Sequence, residues 1–389
     1  MRRLRLRDPL DAPLPVPPDS LRKGPFQEGA FRSRLHEPRT AVVLGRWLGA
    51  AVLVCFVTGL ISHVLQQPPG WLRDHLPSRP VQGYRITQGL HVISGIAAIP
   101  LLGAKLWTVY PQLFAWPPAR TLRHALERLG IALLVGALLL ELFTGLLNTL
   151  QWYPWPFPFR QTHFWLAWIA VGGLLLHIAV KGPEIAAHWR RTKPALAGRR
   201  ALLGSVAAAV GAVTLVTAGQ TVPWLRSLDL LGPRRPDLGP QGLPVNRTAA
   251  QAGTVHTPAD WRLHVDGPRP YTLTMDELLA LPQTEVDLPI ACVEGWSASA
   301  RWGGVRLRDL LDRAGASPGA SVRVTSLERG GPYAVMTMPH TYARDPLTVL
   351  ALRVNGQALA PDHGYPARIM APNRPGVLQT KWVSRLEVL

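Results

Sequence analysis

Pro289-Ile-Ala-Cys292-Val-Glu-Gly-Trp296-Ser297 is the stretch on which the reading of this chain turns, and it runs on to Trp302-Gly-Gly-Val-Arg306-Leu-Arg-Asp309-Leu-Leu. The chain has two cysteines, and Cys292 is the one outside an apolar, membrane-length segment. The preceding run, Val286-Asp-Leu-Pro-Ile-Ala, reads as a strand, so Cys292 stands where a strand ends and a loop begins. A lone thiolate in such a place is a ligand for a soft or redox-active metal. A buried thiol also packs as a small hydrophobe, and the thiol taken alone favours that reading.

The surrounding residues reverse it. Cys292-Val-Glu-Gly-Trp-Ser297, then Trp302-Gly-Gly-Val-Arg-Leu-Arg-Asp-Leu-Leu-Asp-Arg-Ala-Gly315, then the run from Asp362-His-Gly-Tyr-Pro-Ala-Arg368 through Gln379-Thr-Lys381 to Val388 resemble the molybdopterin domain of the sulfite oxidase superfamily. The resemblance covers about residues 255–389 and is closer to the bacterial methionine-sulfoxide reductase branch, whose cysteine is also followed by an acidic residue and Trp-Ser. It implies a molybdenum–molybdopterin cofactor with Cys292 as thiolate ligand and catalytic residue. His363 and Arg368 match the family's pterin-binding pair. Gln379, Thr380 and Lys381 match the run that holds the pterin phosphate, a dianion that calls for a cation and N–H donors. From composition alone, His363 and Arg368 also fit a surface turn. Arg374 is a candidate for the pocket rim. Trp296, Trp302 and Trp382 read as packing.

Length and composition set the frame. At 389 residues there is room for two or three domains. Hydrophobic residues make up 47% and charged residues 17%, the balance of a partly membrane-embedded chain. A net charge of +18 raises a nucleic-acid reading, but the basic residues gather at the ends of apolar runs, which is a membrane pattern and argues against a nucleic-acid partner. Two cysteines exclude a disulfide framework.

Residues 1–40 are basic and proline-rich, with Arg2, Arg3, Arg5 and Arg7, and read as a disordered cytoplasmic tail. Apolar segments follow near 41–65, 87–109, 129–150, 162–182 and 201–222. About twenty residues at about 1.5 Å each cross a bilayer core of roughly 30 Å. The tail, the 105–128 loop and the 181–200 loop (Lys181, Arg190, Arg191, Lys193, Arg199, Arg200) are the most basic, which assigns them to the cytoplasm and residues 223–389 to the outside. Localisation is then the bacterial cytoplasmic membrane, multi-pass, with an extracytoplasmic C-terminal domain. Aromatic residues from Trp152 to Phe159 fit the outer interfacial belt.

Four histidines lie in or at the ends of these segments. His63 ends the first, His91 opens the second, and His163 and His177 lie on the fourth. Ionisable groups inside a bilayer are expensive and mark function, and imidazole is an axial ligand of haem iron. His163 and His177 are fourteen residues apart, on one helical face and about 21 Å apart along the axis. The first four segments resemble the bacterial cytochrome b561 and formate-dehydrogenase gamma-subunit type, in which one helix supplies a ligand to each of two b-type haems at this spacing. Depth pairs His91 with His163 at the outer face. His177 lies near the inner face, where the family's partner position falls on Gly45-Arg46-Trp47 and His36 is reached only by an inward extension of the first helix. The resemblance thus implies one or two haems b. His63 reads as a ligand candidate or as an interfacial histidine.

The fifth segment opens Gly198-Arg199-Arg200-Ala-Leu-Leu-Gly and is less leucine-rich. The paired arginines resemble a twin-arginine export signal, and positive-inside flanking explains them equally. A Pro/Gly-rich linker spans 223–254, including Pro233 and Pro236. In the last domain, Trp261–Gly267 alternates as a strand, Thr274 with Glu277 reads as a capping box, and Arg306–Gly315 reads as a helix stopped by glycine. Strand patterns recur at 321–327, 333–338, 350–354, 367–371 and 382–388.

The expected fold class is multi-domain. An N-terminal transmembrane α-helical bundle has five spans, four of them forming a haem bundle, and a C-terminal α+β domain is of the sulfite-oxidase molybdopterin type. Domains fall at 1–40 (tail), 41–185 (four-helix cytochrome b-type domain), 186–222 (fifth span), 223–254 (linker) and 255–389. The expected function is oxygen-atom transfer, as sulfoxide-type reduction or sulfite-type oxidation, on a small-molecule oxo-substrate, with electrons exchanged through b-type haem with a membrane quinone or other redox partner. The alternative is a cytochrome b electron-transfer membrane protein whose outer domain is a non-catalytic binding module. Where animal and plant sulfite oxidases carry an arginine five residues after the cysteine, this chain has Ser297.

Overall fold

The computed structural model describes residues 9–31, 33–189, 197–232, 234 and 238–389; Arg2, Arg3, Arg5, Arg7, Arg190, Arg191, Lys193, Pro233 and Pro236 lie outside them. The apolar segments form long helices: α1 (Pro38–Gln66), α3 (Gly83–Leu113), α4 (Leu122–Thr149), α5 (Phe159–Trp189) and α6 (Ala197–Ala218), with a short α2 (Gly70–Arg73) between the first two. All five long helices have the length and apolarity to cross a membrane. Leu133, Leu139, Leu140, Leu175 and Leu176 stand exposed on them, as side chains facing acyl chains would. Helix α6 stops at Ala218, short of the expected 222, and the chain turns through Gly219–Thr221. The polar groups that follow are engaged elsewhere: the Gln220 carbonyl accepts from Ser297 N–H and Thr221 Oγ1 donates to the Gly295 carbonyl.

The chain divides into two compact units. The first holds residues up to Phe56 and Val92–Thr214. Its core is Leu44, Leu48, Leu101, Leu102, Leu134, Leu138 and Ala170. Charged groups inside it are paired: Lys181 Nζ lies 2.7 Å from Glu127 Oε1, and Arg199 Nη1 lies 2.9 Å from Glu37 Oε1. Lys105 Nζ donates to the Ala41 carbonyl at 2.7 Å and lies over Gly45.

The second unit joins Val57–His91 to Leu215–Leu389. Among the described residues, further helices α7 (Ala249–Ala252), α8 (Met275–Ala280), α9 (Leu307–Arg313) and α10 (His340–Ala343) accompany ten strands. These are β1 (Leu263–Asp266), β2 (Tyr271–Leu273), β3 (Thr284–Ala291), β4 (Ser297–Arg306), β5 (Val322–Ser326), β6 (Val335–Met338), β7 (Val349–Val354), β8 (Gln357–Ala358), β9 (Arg368–Met370) and β10 (Val383–Val388). One sheet has the order β2-β1-β10-β5-β6, and the other β3-β4-β7-β8 with β9 on β7. The β1–β10 pair is parallel and ties the start of the domain to its end. The α+β expectation holds.

Strong local signals in the sequence coincide with the observed elements. The Thr274 hydroxyl accepts from Glu277 N–H, and the Glu277 carboxylate accepts from Thr274 N–H, completing the capping box of α8. Gly315 follows α9 with φ +77°. Strand β4 has no signal of its own: Ser297-Ala-Ser-Ala-Arg lacks β-branched residues, and its extended form is imposed by pairing with β3, β7 joining only from Trp302 on.

The Val57–His91 segment is built into this unit. Leu65, Leu76 and Tyr84 share a core with Leu263, Leu310, Val324 and Leu386. Asn373, at φ +52°, is the hub of the contact. Its Oδ1 accepts from Tyr84 N–H at 2.6 Å, its N–H donates to the Val81 carbonyl at 3.1 Å, and its Nδ2 donates to the Pro77 carbonyl at 2.7 Å. Arg79 adds an ion pair to the buried Asp345 at 3.0 Å.

Candidate active site

Cys292 occupies the tight turn between β3 and β4. Its N–H donates to the Trp296 carbonyl at 2.9 Å, and Gly295 N–H donates back to the Cys292 carbonyl at 3.1 Å. Gly295 has φ +99°, a backbone region glycine enters without penalty, so the turn needs it. The Trp296 indole donates to Glu294 Oε2 at 3.0 Å, and Asn246 Nδ2 lies 3.9 Å from Cys292 Sγ. Only 1% of Cys292 is exposed. Burial, reinforced by the Glu294 carboxylate, pushes its thiol well above the ordinary range. A thiolate here therefore needs a bound cation to offset the loss of solvation.

A second group of residues assembles from β9 and the segments beside it. Arg368 is fully buried; its Nη1 donates to the His363 carbonyl at 3.1 Å and its Nη2 to the Gln379 carbonyl at 3.5 Å. The guanidinium carbon lies 5.1 Å from the Trp302 ring centroid. Ile369 N–H donates to the Thr380 carbonyl at 2.9 Å, which sets the Gln379-Thr380-Lys381 run beside β9. Lys381 Nζ donates to the Arg247 and Asp362 carbonyls, each at 2.8 Å. His363 Nε2 lies 2.6 Å from the Pro240 carbonyl. Arg374 is also buried and donates to the Leu378 carbonyl at 3.0 Å.

Electrostatics give this group its meaning. Burial lowers Arg368 to about 9, Arg374 to about 10 and Lys381 to about 7, the last helped by Arg368. Burial also lowers His363 to about 4. Among the described residues none of these three cations forms an ion pair with a carboxylate, and Arg368 Nε and Gln379 Oε1 are buried without a hydrogen-bond partner. A cluster of buried cations lacking anions is electrostatically incomplete, and a phosphate-bearing group fits it. The unmet Arg368 donor is the observation on which a pterin phosphate fits these residues, and Cys292 would act as a thiolate only beside a bound cation.

Thus Cys292, His363, Arg368, Gln379, Thr380 and Lys381 fall in one unit, and Lys381 lies within electrostatic reach of Cys292. Asn246, Arg247 and Asp362 join them unforeseen, because two of the three come from the proline-rich linker and contribute through contacts remote in sequence. Near these residues a cavity of about 350 Å³ is lined by Arg234, Gly239, Pro240, Pro244 and Asp362.

The helix histidines sit in two places. His63 and His91 belong to the second unit, and His163 and His177 to the first. His163 Nδ1 lies 3.1 Å from Glu141 Oε2 and 3.2 Å from Thr144 Oγ1, both on α4. Glu141 was missed although it was legible: an acid within Leu138-Leu-Leu-Glu-Leu142 is as exceptional in a bilayer as a histidine. His91 lies so close to α1 that a Cβ on Gly59 would sit 2.6 Å from its Nδ1. His36 lies outside α1, with its Nδ1 3.2 Å from the Thr108 carbonyl. Among the described residues no three His, Cys, Asp or Glu side chains form a metal cluster.

The buried thiol and the cations without carboxylate partners lie in one unit, and comparison with known proteins gives its class. Residues 251–389 match the family "Oxidoreductase molybdopterin binding domain". The C-terminal part of the chain is thus a molybdopterin oxidoreductase domain of the sulfite oxidase family. A mitochondrial sulfite oxidase from Drosophila melanogaster is 32% identical over 165 residues, covering 34% of this chain and 28% of that protein. An NADH nitrate reductase from Hordeum vulgare is 34% identical over 162 residues, covering 33% of this chain and 18% of that one. Among solved structures, the sulfane dehydrogenase SoxCD of Paracoccus pantotrophus aligns at 26% identity over 34% of this chain and 40% of its own, with a TM-score of 0.32. The chain spans under a third of the length of the curated relatives named.

Proposed function

We propose that this chain is a membrane-bound, molybdopterin-dependent oxidoreductase that transfers an oxygen atom on the extracytoplasmic side and exchanges electrons with the membrane pool through b-type haem. The buried cations Arg368, Arg374 and Lys381, without carboxylate partners among the described residues, carry the reading. Bound molybdenum would supply two-electron oxygen-atom chemistry, and haem single-electron exchange. Cys292 would be the metal ligand. His363 and Arg368 would bind the pterin, and Gln379, Thr380 and Lys381 would hold its phosphate. The burial of the Cys292 turn keeps bulk water from the metal ligand.

The domain division of the sequence reading, with a haem-bearing four-helix portion at 41–185, belongs to this proposal. So do the inside-positive orientation and the assignment of His91, His163 and His177 as haem ligands, with His63 as a further candidate. Sulfoxide-type reduction is favoured over sulfite oxidation. Ser297 is 2% exposed and donates to the Thr221 carbonyl at 3.2 Å, so it offers no cation to a sulfite anion.

Elemental analysis of the detergent-purified chain tests this. Molybdenum at one per chain with one or two irons is expected. Iron without molybdenum, in a host that makes the cofactor, replaces this reading with a cytochrome whose outer domain only binds. Molybdenum without iron removes the haem assignment.

A further inference from the structure

The Cys292 turn is held from outside by residues at the ends of two membrane-length helices. Gln88, in the second turn of α3 and 5% exposed, donates its Nε2 to the Val293 carbonyl at 3.0 Å. Arg85, one turn earlier, donates to Ser299 Oγ at 3.0 Å and to the Thr221 carbonyl at 3.2 Å. Thr221, just past α6, donates to the Gly295 carbonyl and accepts from Ser297 Oγ through its own. The turn that presents the metal ligand is therefore tied to the start of α3 and the turn after α6, both of which belong to its own unit.

His91 follows Gln88 by three residues on the same helical face, with a rise of about 4.5 Å along the axis. Its ring lies close against α1 at Gly59. From Cys292 to His91 the connection is one residue of chain, one hydrogen bond, one glutamine side chain and one helical turn. Outer contacts of this kind set the position of a ligand and the properties of its metal.

We propose that the N-terminal end of α3 is the electron entry to the Cys292 site, with Gln88 as its positioning residue. The inference rests on the reading of Cys292 and His91 as ligand residues. A membrane hydroquinone losing two electrons and two protons becomes a quinone; the electrons pass singly along α3 to the Cys292 site. There, with two protons, they reduce an oxo-compound such as a sulfoxide to the sulfide and water.

The test uses the full-length oxidised protein in detergent, mixed with menadiol. Haem reduction is followed by absorbance, and arrival of electrons at molybdenum by freeze-quench electron paramagnetic resonance. Gln88→Leu is expected to keep iron, molybdenum and the haem reduction rate, while the molybdenum signal grows about tenfold more slowly. Gln88→Lys, which keeps an N–H donor, is expected to recover most of the rate. A wild-type rate in Gln88→Leu overturns the proposal. If Gln88→Leu loses molybdenum, the isosteric Gln88→Glu decides: a wild-type rate without the amide donor overturns it, and a slowed rate upholds it. Absence of iron or molybdenum from the wild-type protein defeats the underlying assignment before Gln88 is varied.

Discussion

Arg368 shows how a single side chain can oppose stability and serve binding. In the cofactor-free protein it is a buried cation with no carboxylate partner among the described residues. Removing such a charge is neutral or stabilising when an apolar group fills the space. Arg368→Met is therefore expected to leave the thermal midpoint of the cofactor-free protein unchanged or higher, while molybdenum retained after purification falls about tenfold or more. A lowered midpoint with undiminished molybdenum would refute the anion-cradle reading. His363 gives a pH dependence. Its folded value of about 4 lies below its ordinary 6.5, so between these the unfolded chain holds the proton and the folded one does not. Its contribution is thus full above pH 6.5 and is lost as pH falls toward 4, by roughly 3 kcal/mol. Thermal scans of the cofactor-free protein should show that acid limb, and His363→Gln should flatten it. Cys292 at a strand end was legible because its neighbours alternate as a strand should; the unmet cations were not, since burial is invisible in composition.

Strands and helices respond to changes the sequence alone would not flag. At Gly304 the register of β4 against β7 shifts, and an added Cβ would collide with the Leu350 carbonyl and meet Ala351 Cα at 2.8 Å. Both obstacles are backbone, so Gly304→Ala is expected to destabilise the domain by about 2 kcal/mol, read as a lower thermal midpoint. Thr274→Ala removes one half of the α8 capping box and should cost about 1 kcal/mol. The capping box could be read from four residues because its physics is local. The start of β4 could not, because only its pairing with β3 makes it extended. The membrane helices were legible from apolar length alone, whereas the stop of α6 at Ala218 depends on where Gln220 and Thr221 find their hydrogen bonds.

The chain as a whole does not divide where its sequence changes character. The cofactor-domain match begins at residue 251, yet the compact unit that contains it also takes in Val57–His91. Pro77, Val81 and Tyr84 give backbone groups to Asn373, next to the buried Arg374. A truncated chain beginning at residue 223 would leave Asn373 and the core around Leu263 and Leu386 open. It is expected to bind the apolar dye ANS strongly and to aggregate, where the full chain in detergent does not; a monodisperse truncated domain with cooperative melting would show the loop to be dispensable. No local pattern announced this packing, since residues 67–83 read as an ordinary connection between spans.

The Tyr84–Asn373 hydrogen bond joins residues 289 apart in sequence. At ribosomal speeds of about 5–20 residues per second, the first partner waits on the order of 15–60 s for the second. Through that interval Leu76 and Tyr84 have no core to enter. The biogenesis of this protein therefore includes a late event, the closing of an early segment onto a late one.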